Sequence, residues 1–125
     1  MSRTEPASGQ RVRHVYTITE SGRQVLQGWL AQPAAPWAVR NELLLKLFFG
    51  RQVDGEAIKA HLVREREQAR GAMMGTAAAI GMLETEQADA PDLAYWLLTL
   101  DMGRRWAEAR LEWAEAGLRR LELPE

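Results

Sequence analysis

Cysteine is absent from the 125 residues. That removes disulfides, thiolate metal sites and cysteine nucleophiles together, and it fits a cytoplasmic protein. Histidine is scarce: His14 and His61 stand far apart in the chain. Neither belongs to a His-x-x-x-His or His-Glu-x-x-His pattern, so nothing brings several donors to metal-ligand spacing. His61 has Glu65 four residues on and Glu56 five back on the same helical pattern, and reads as a solvated or ion-paired side chain. Long apolar runs are missing too. A bilayer span needs about 20 apolar residues, whereas the longest run here, Leu43–Phe49, is interrupted by Lys46. The opening Met-Ser-Arg-Thr-Glu-Pro lacks the apolar centre of a signal peptide. No membrane association is expected. With no nucleophile–base pair or convergent polar site, the chain is not expected to be an enzyme, nor to hold a cofactor or metal.

Charge of one sign is also lacking. The net charge is −1, which argues against bulk electrostatic attraction to nucleic acid or membrane. Its distribution is uneven. In residues 1–30, Arg3, Arg11, Arg13 and Arg23 outweigh Glu5 and Glu20 by two charges, so the remainder carries −3. The basic end is the one that would face a polyanion.

What is present is helical periodicity and tryptophan. A hydrophobic content of 46% argues for a folded domain. Residues Val12–Ile18 alternate as a strand, with Val12, His14, Tyr16 and Ile18 on one face and Arg13, Val15 and Thr17 on the other. Pro6–Gly9 reads as a turn, across which Ser2–Glu5 can pair with Val12–Thr17. Thr19 stands where an N-cap belongs and Glu20 suits the first turn of a helix to Ala31. The link Gln32-Pro33-Ala-Ala-Pro36 is the best candidate boundary, dividing the chain into 1–32 and 33–125. A second helix is expected from about Trp37 to Phe49, with Gly50 as its cap.

Asp54 is the next N-cap, opening a long helix to about Glu86. Ile58, Leu62, Glu65, Ala69, Met73, Thr76, Ile80 and Leu83 repeat at steps of four and three, a heptad-like seam. The alternating charges of Arg64–Arg70 read as its solvated face. Gly71, Gly75 and Gly81 lack the preceding strand of a phosphate loop. Each costs roughly 1 kcal/mol of helicity, and close approach of another helix, or a kink, is the expected reason for them. After a turn, Asp89 and Pro91 are expected to start a final helix ending near Leu121, its stripe running from Leu93 and Leu97 to Leu118. The fold expected is mostly α: a short N-terminal β-hairpin, a linker helix and a long antiparallel helical hairpin.

The basic strand feeding an amphipathic helix resembles the wing and following helix of a winged helix-turn-helix domain. More narrowly, Tyr16, Ile18, Thr19, Gly22 and Leu26 fit the Tyr-x-Leu/Ile-Thr-x-x-Gly-x-x-x-Leu signature of PadR-family bacterial transcriptional regulators. Arg40–Gly50 resembles the stretch opening the C-terminal domain of the larger PadR-like proteins, and Leu93–Trp113 their Trp-bearing final helix. The resemblance implies a homodimer built by the C-terminal helices, binding to a palindromic operator, and repression relieved by a small aromatic molecule. The helices that read DNA should precede the wing, and this chain has too few residues there to supply them; weak or absent DNA binding is therefore expected. Arg11, Arg13 and His14 are the candidate DNA contacts. Trp96, Trp106 and Met73 are the candidate effector contacts, since Trp106 and Trp113 face similar directions and Trp96 lies within about 80° of them. Core packing is the plainer account of the five tryptophans. The alternative function is a stand-alone helical interaction protein that forms mixed dimers with a full-length regulator.

Overall fold

The computed structural model describes residues 2–4, 14–37 and 41–121. The chain divides into two compact units, residues 1–40 and 41–125. In the first unit, β1 (Ser2–Thr4) pairs antiparallel with β2 (Val15–Thr17), setting Ser2 against Thr17, Arg3 against Tyr16 and Thr4 against Val15. Then α1 runs over Glu20–Ala31. Its start follows from one side chain: Thr19 is extended, and its Oγ1 accepts the backbone N–H of Gly22 at 3.1 Å. A Cβ at Gly22 would lie 3.1 Å from that oxygen and 3.2 Å from Ile18 Cγ1, so the signature's glycine is where Ile18 and the cap fold over the helix. None of the residues of α1 is buried.

The second unit opens with α2 (Glu42–Phe48) and a 3-10 turn, Gly50–Gln52. The second helix therefore begins later than the sequence suggests. Residues 33–37 are not helical, and Asn41 is the residue whose Oδ1 accepts the Leu44 N–H at 3.2 Å. Next comes α3 (Gly55–Glu86), capped by Asp54, whose Oδ1 accepts from Ala57 N at 2.9 Å. The final helix, α4, spans Leu93–Arg120. It starts after Asp92, not at Asp89. Two successive turns, Ala90 N to Gln87 O and Leu93 N to Ala90 O, use up residues 87–92, and the Asp92 carbonyl accepts the first helical bonds, from Tyr95 and Trp96.

Packing of α3 against α4 is the principal tertiary contact. At 1.5 Å per residue the two helices are about 48 and 42 Å long. Ala69, Ala107 and Ala114 are essentially inaccessible at their seam. Toward the N-terminus of α3, Ile58, Leu62 and Leu118 form the buried cluster, with Leu47 of α2 and Val63 against it. Mid-seam, Thr76 Oγ1 donates back to Ala72 O at 2.8 Å, and its methyl lies where a Cβ on Gly103 would meet it at 3.4 Å. Within α3 and α4, Gly103 and Gly117 are the glycines that face a neighbour. Gly71, Gly75 and Gly81, expected to admit a close helix, have open space around them.

Candidate functional site

In the first unit the expected DNA contacts Arg11 and Arg13 lie outside the described residues. His14 is exposed, and its ring centre is 6.4 Å from that of Tyr16, on the same strand face, as the two-residue period requires. The apolar stripe of α1, namely Val25, Leu26, Trp29 and Leu30, is exposed throughout.

In the second unit the helical hairpin is held by charge as well as by alanine. Glu65 Oε1 accepts from Arg110 Nε at 2.6 Å across the α3–α4 seam, and both side chains are largely sheltered. Arg70 reaches Glu115 at 4.0 Å. Along α4, Arg104 bridges Asp101 at 2.8 Å and Glu108 at 2.7 Å, while Arg105 holds the other Asp101 oxygen at 2.8 Å. Bonds from Arg105 and then Arg104 hold the Asp101 carboxyl below the usual carboxylate range, and the same Asp101 contact raises Arg104.

Trp106 and Trp113 lie seven positions apart on α4 and line one cleft of about 310 Å³, with Leu43 and Leu44 of α2 and the Glu65–Arg110 pair. Trp96 and Met73 do not line it. Ten residues separate Trp96 from Trp106, about 15 Å along the helix, so the three expected effector residues are not gathered in this cleft. Met73 is half-buried, while Trp96 and Trp106 are each exposed over about half their surface or slightly less. Trp113, which the helical spacing already placed on the same side as Trp106, is the tryptophan that shares its cleft.

The other half of the hairpin lacks charge. Residues 71–83 of α3 and 93–100 of α4 contain none. Yet Met74 and Met82 of α3, and Tyr95, Leu98 and Met102 of α4, are all exposed by half or more. A helix apolar on every face is ordinarily covered on every face; here these side chains stay exposed. Among the described residues, no group of three or more His, Cys, Asp or Glu could hold a metal ion, and no helix is long and apolar enough to cross a membrane.

The model of the family described as virulence activator alpha C-term matches residues 39–122. No sequence among the curated proteins matches the chain. Three solved structures resemble it. One is smu.1604c of Streptococcus mutans UA159: 18% identity, TM-score 0.78, covering 94% of this chain and 68% of that one. Another is the PadR-like transcriptional regulator BC1756 of Bacillus cereus: 22%, TM-score 0.72, 90% and 65%. The third is Bacillus subtilis PadR, solved in complex with operator DNA: 20%, TM-score 0.77, 95% and 68%. At these identities the likeness is one of fold, and this chain spans about two thirds of each relative's length.

Proposed function

This chain belongs to the virulence activator alpha C-term family, the C-terminal domain family of PadR-like regulators, and we propose that it is the pairing module of such a transcriptional regulator, a repressor, working as a homodimer through α3 and α4. The observation that carries this reading is the charge-free half of the hairpin. Its exposed Met74, Met82, Tyr95, Trp96 and Leu98 give that half a broad apolar surface of the kind a partner chain covers. Isolated monomers rarely leave so large an apolar patch in water.

In this reading the first unit is the wing and linker helix, with Arg11, Arg13 and His14 as phosphate contacts. Two or three basic groups make few such contacts, so DNA affinity is weak, non-specific and shallow in its salt dependence. What supports it is the basic balance of residues 1–30 and the operator DNA bound by the Bacillus subtilis relative. A small aromatic effector beside Trp106 also belongs to the reading; support for it is the second indole, Trp113, in the same cleft. Trp96 and Met73 act with the exposed apolar half. Sedimentation equilibrium at micromolar concentration tests the proposal: a species of twice 14.1 kDa is expected, and a monomer throughout would refute it.

A further inference from the structure

Between the 3-10 turn and the C-terminal end of α4 lies a half-open trough of about 810 Å³, within the range of small-molecule sites. Aliphatic side chains make most of its wall: Leu47, Val53, Ile58, Leu62 and Leu121. Phe48 and Trp113 add rings. The space exists because side chains are missing from it. Gly50, Gly55, Ala116 and Gly117 all border the trough. A Cβ at Gly50 would stand 3.2 Å from Ile58 Cδ1, and one at Gly117 3.3 Å from Leu62 Cδ1.

Two guanidinium groups, Arg51 and Arg120, stand in the same lining. Along α3 and α4, Arg66, Arg70, Arg104, Arg105 and Arg110 each have a carboxylate partner. Arg51 and Arg120 have no ion-pair partner among the described residues, and no described carboxylate lines the trough. An apolar wall alone would take any greasy molecule. Two guanidinium groups at its border, with no carboxylate among the described lining residues, select against cations and favour an anion whose oxygens a guanidinium can grip in a fork.

We propose that this trough binds an amphipathic acid, a medium- to long-chain acyl carboxylate, with its chain along the aliphatic wall and its head at Arg51 and Arg120. An acyl chain suits a lining in which leucine, isoleucine and valine outnumber the rings. All of its described lining residues belong to one chain.

The test is calorimetric titration of the full chain with dodecanoate below its micelle-forming concentration, with dodecanol and dodecyltrimethylammonium as matched probes. One saturable site per chain is expected, at least tenfold tighter for the acid than for the alcohol, with no binding of the cation. Arg51→Gln with Arg120→Gln should bring the acid-to-alcohol preference to near unity without loss of helical circular dichroism. Ala116→Phe, at an exposed position on the border, should fill the trough and abolish uptake. Equal affinity for acid and alcohol in the parent would overturn the proposal, as would acid binding that survives Ala116→Phe. So would the absence of any uptake with concentration-dependent hydrogen-exchange protection of α2 and the 3-10 turn, which assigns the trough to a second copy.

Discussion

Leu62 and Gly117 touch across the end of the hairpin, and their coupling can be measured. Leu62 is 2% exposed and the largest fully buried side chain among the described residues. Truncation to alanine loses its transfer energy and leaves a cavity, costing about 2–5 kcal/mol in sites of this kind. At this chain length that is a fall in Tm of about 4 °C per kcal/mol, so a loss near 12 °C is expected. Gly117→Ala has two opposed effects. Removing a helix-interior glycine gains about 1 kcal/mol. The new Cβ, however, arrives 3.3 Å from Leu62 Cδ1 and 3.5 Å from Cδ2, so in the parent much of that gain is cancelled by crowding. In the Leu62→Ala background nothing crowds it, and the full gain should appear. Urea unfolding of all four proteins, followed by circular dichroism at one fixed concentration, gives the cycle. Refutation would be a Leu62→Ala cost below about 1 kcal/mol, or a Gly117→Ala effect identical in both backgrounds, within the scatter expected of independent sites.

Three further outcomes are expected. Glu65→Ala leaves Arg110 sheltered and unpaired, so it should cost about 1–3 kcal/mol, and Glu65→Ala with Arg110→Met should cost less than Glu65→Ala alone; chemical denaturation separates them. Asp101 has a folded pKa below its unfolded value, so its contribution is present above the ordinary carboxylate pKa and is lost as pH falls through the depressed one; an acid titration of Tm should lose part of its steepness below the usual carboxylate range in Asp101→Asn. Asp54→Ala should cost about 1 kcal/mol by removing the cap of α3, read as a lower midpoint with an unchanged slope.

Where the sequence was legible, short-range chemistry made it so. Thr19 and Asp54 each offer a side-chain oxygen three residues before the amide it accepts, and the bounds of α1 and α3 follow directly. The start of α2 was missed because Asn41 does the same job four residues beyond Trp37, behind a tryptophan that looks like a helix opening. The start of α4 was misplaced because Asp89 and Asp92 flank the same proline, and only backbone turns decide between them. Tertiary choices left weaker traces. Periodicity put Trp106 and Trp113 on one side of α4, but it could not show that Leu43 and Leu44 close their cleft, or that Met73 and Trp96 do not line it. Nor could it separate the glycines that meet a neighbour, at 103 and 117, from those facing open space, at 71, 75 and 81.

The alanines at the seam have one last consequence. Ala69, Ala107 and Ala114 carry no χ angles and lose no rotamer freedom on being buried. A leucine can answer a push by switching rotamers and absorb it locally; these three positions have no such alternative state. A displacement imposed at one end of the hairpin has to emerge as a slide or rotation of one whole helix over the other. In mechanical terms the stretch of the pair around Ala69, Ala107 and Ala114 is a pushrod rather than a spring.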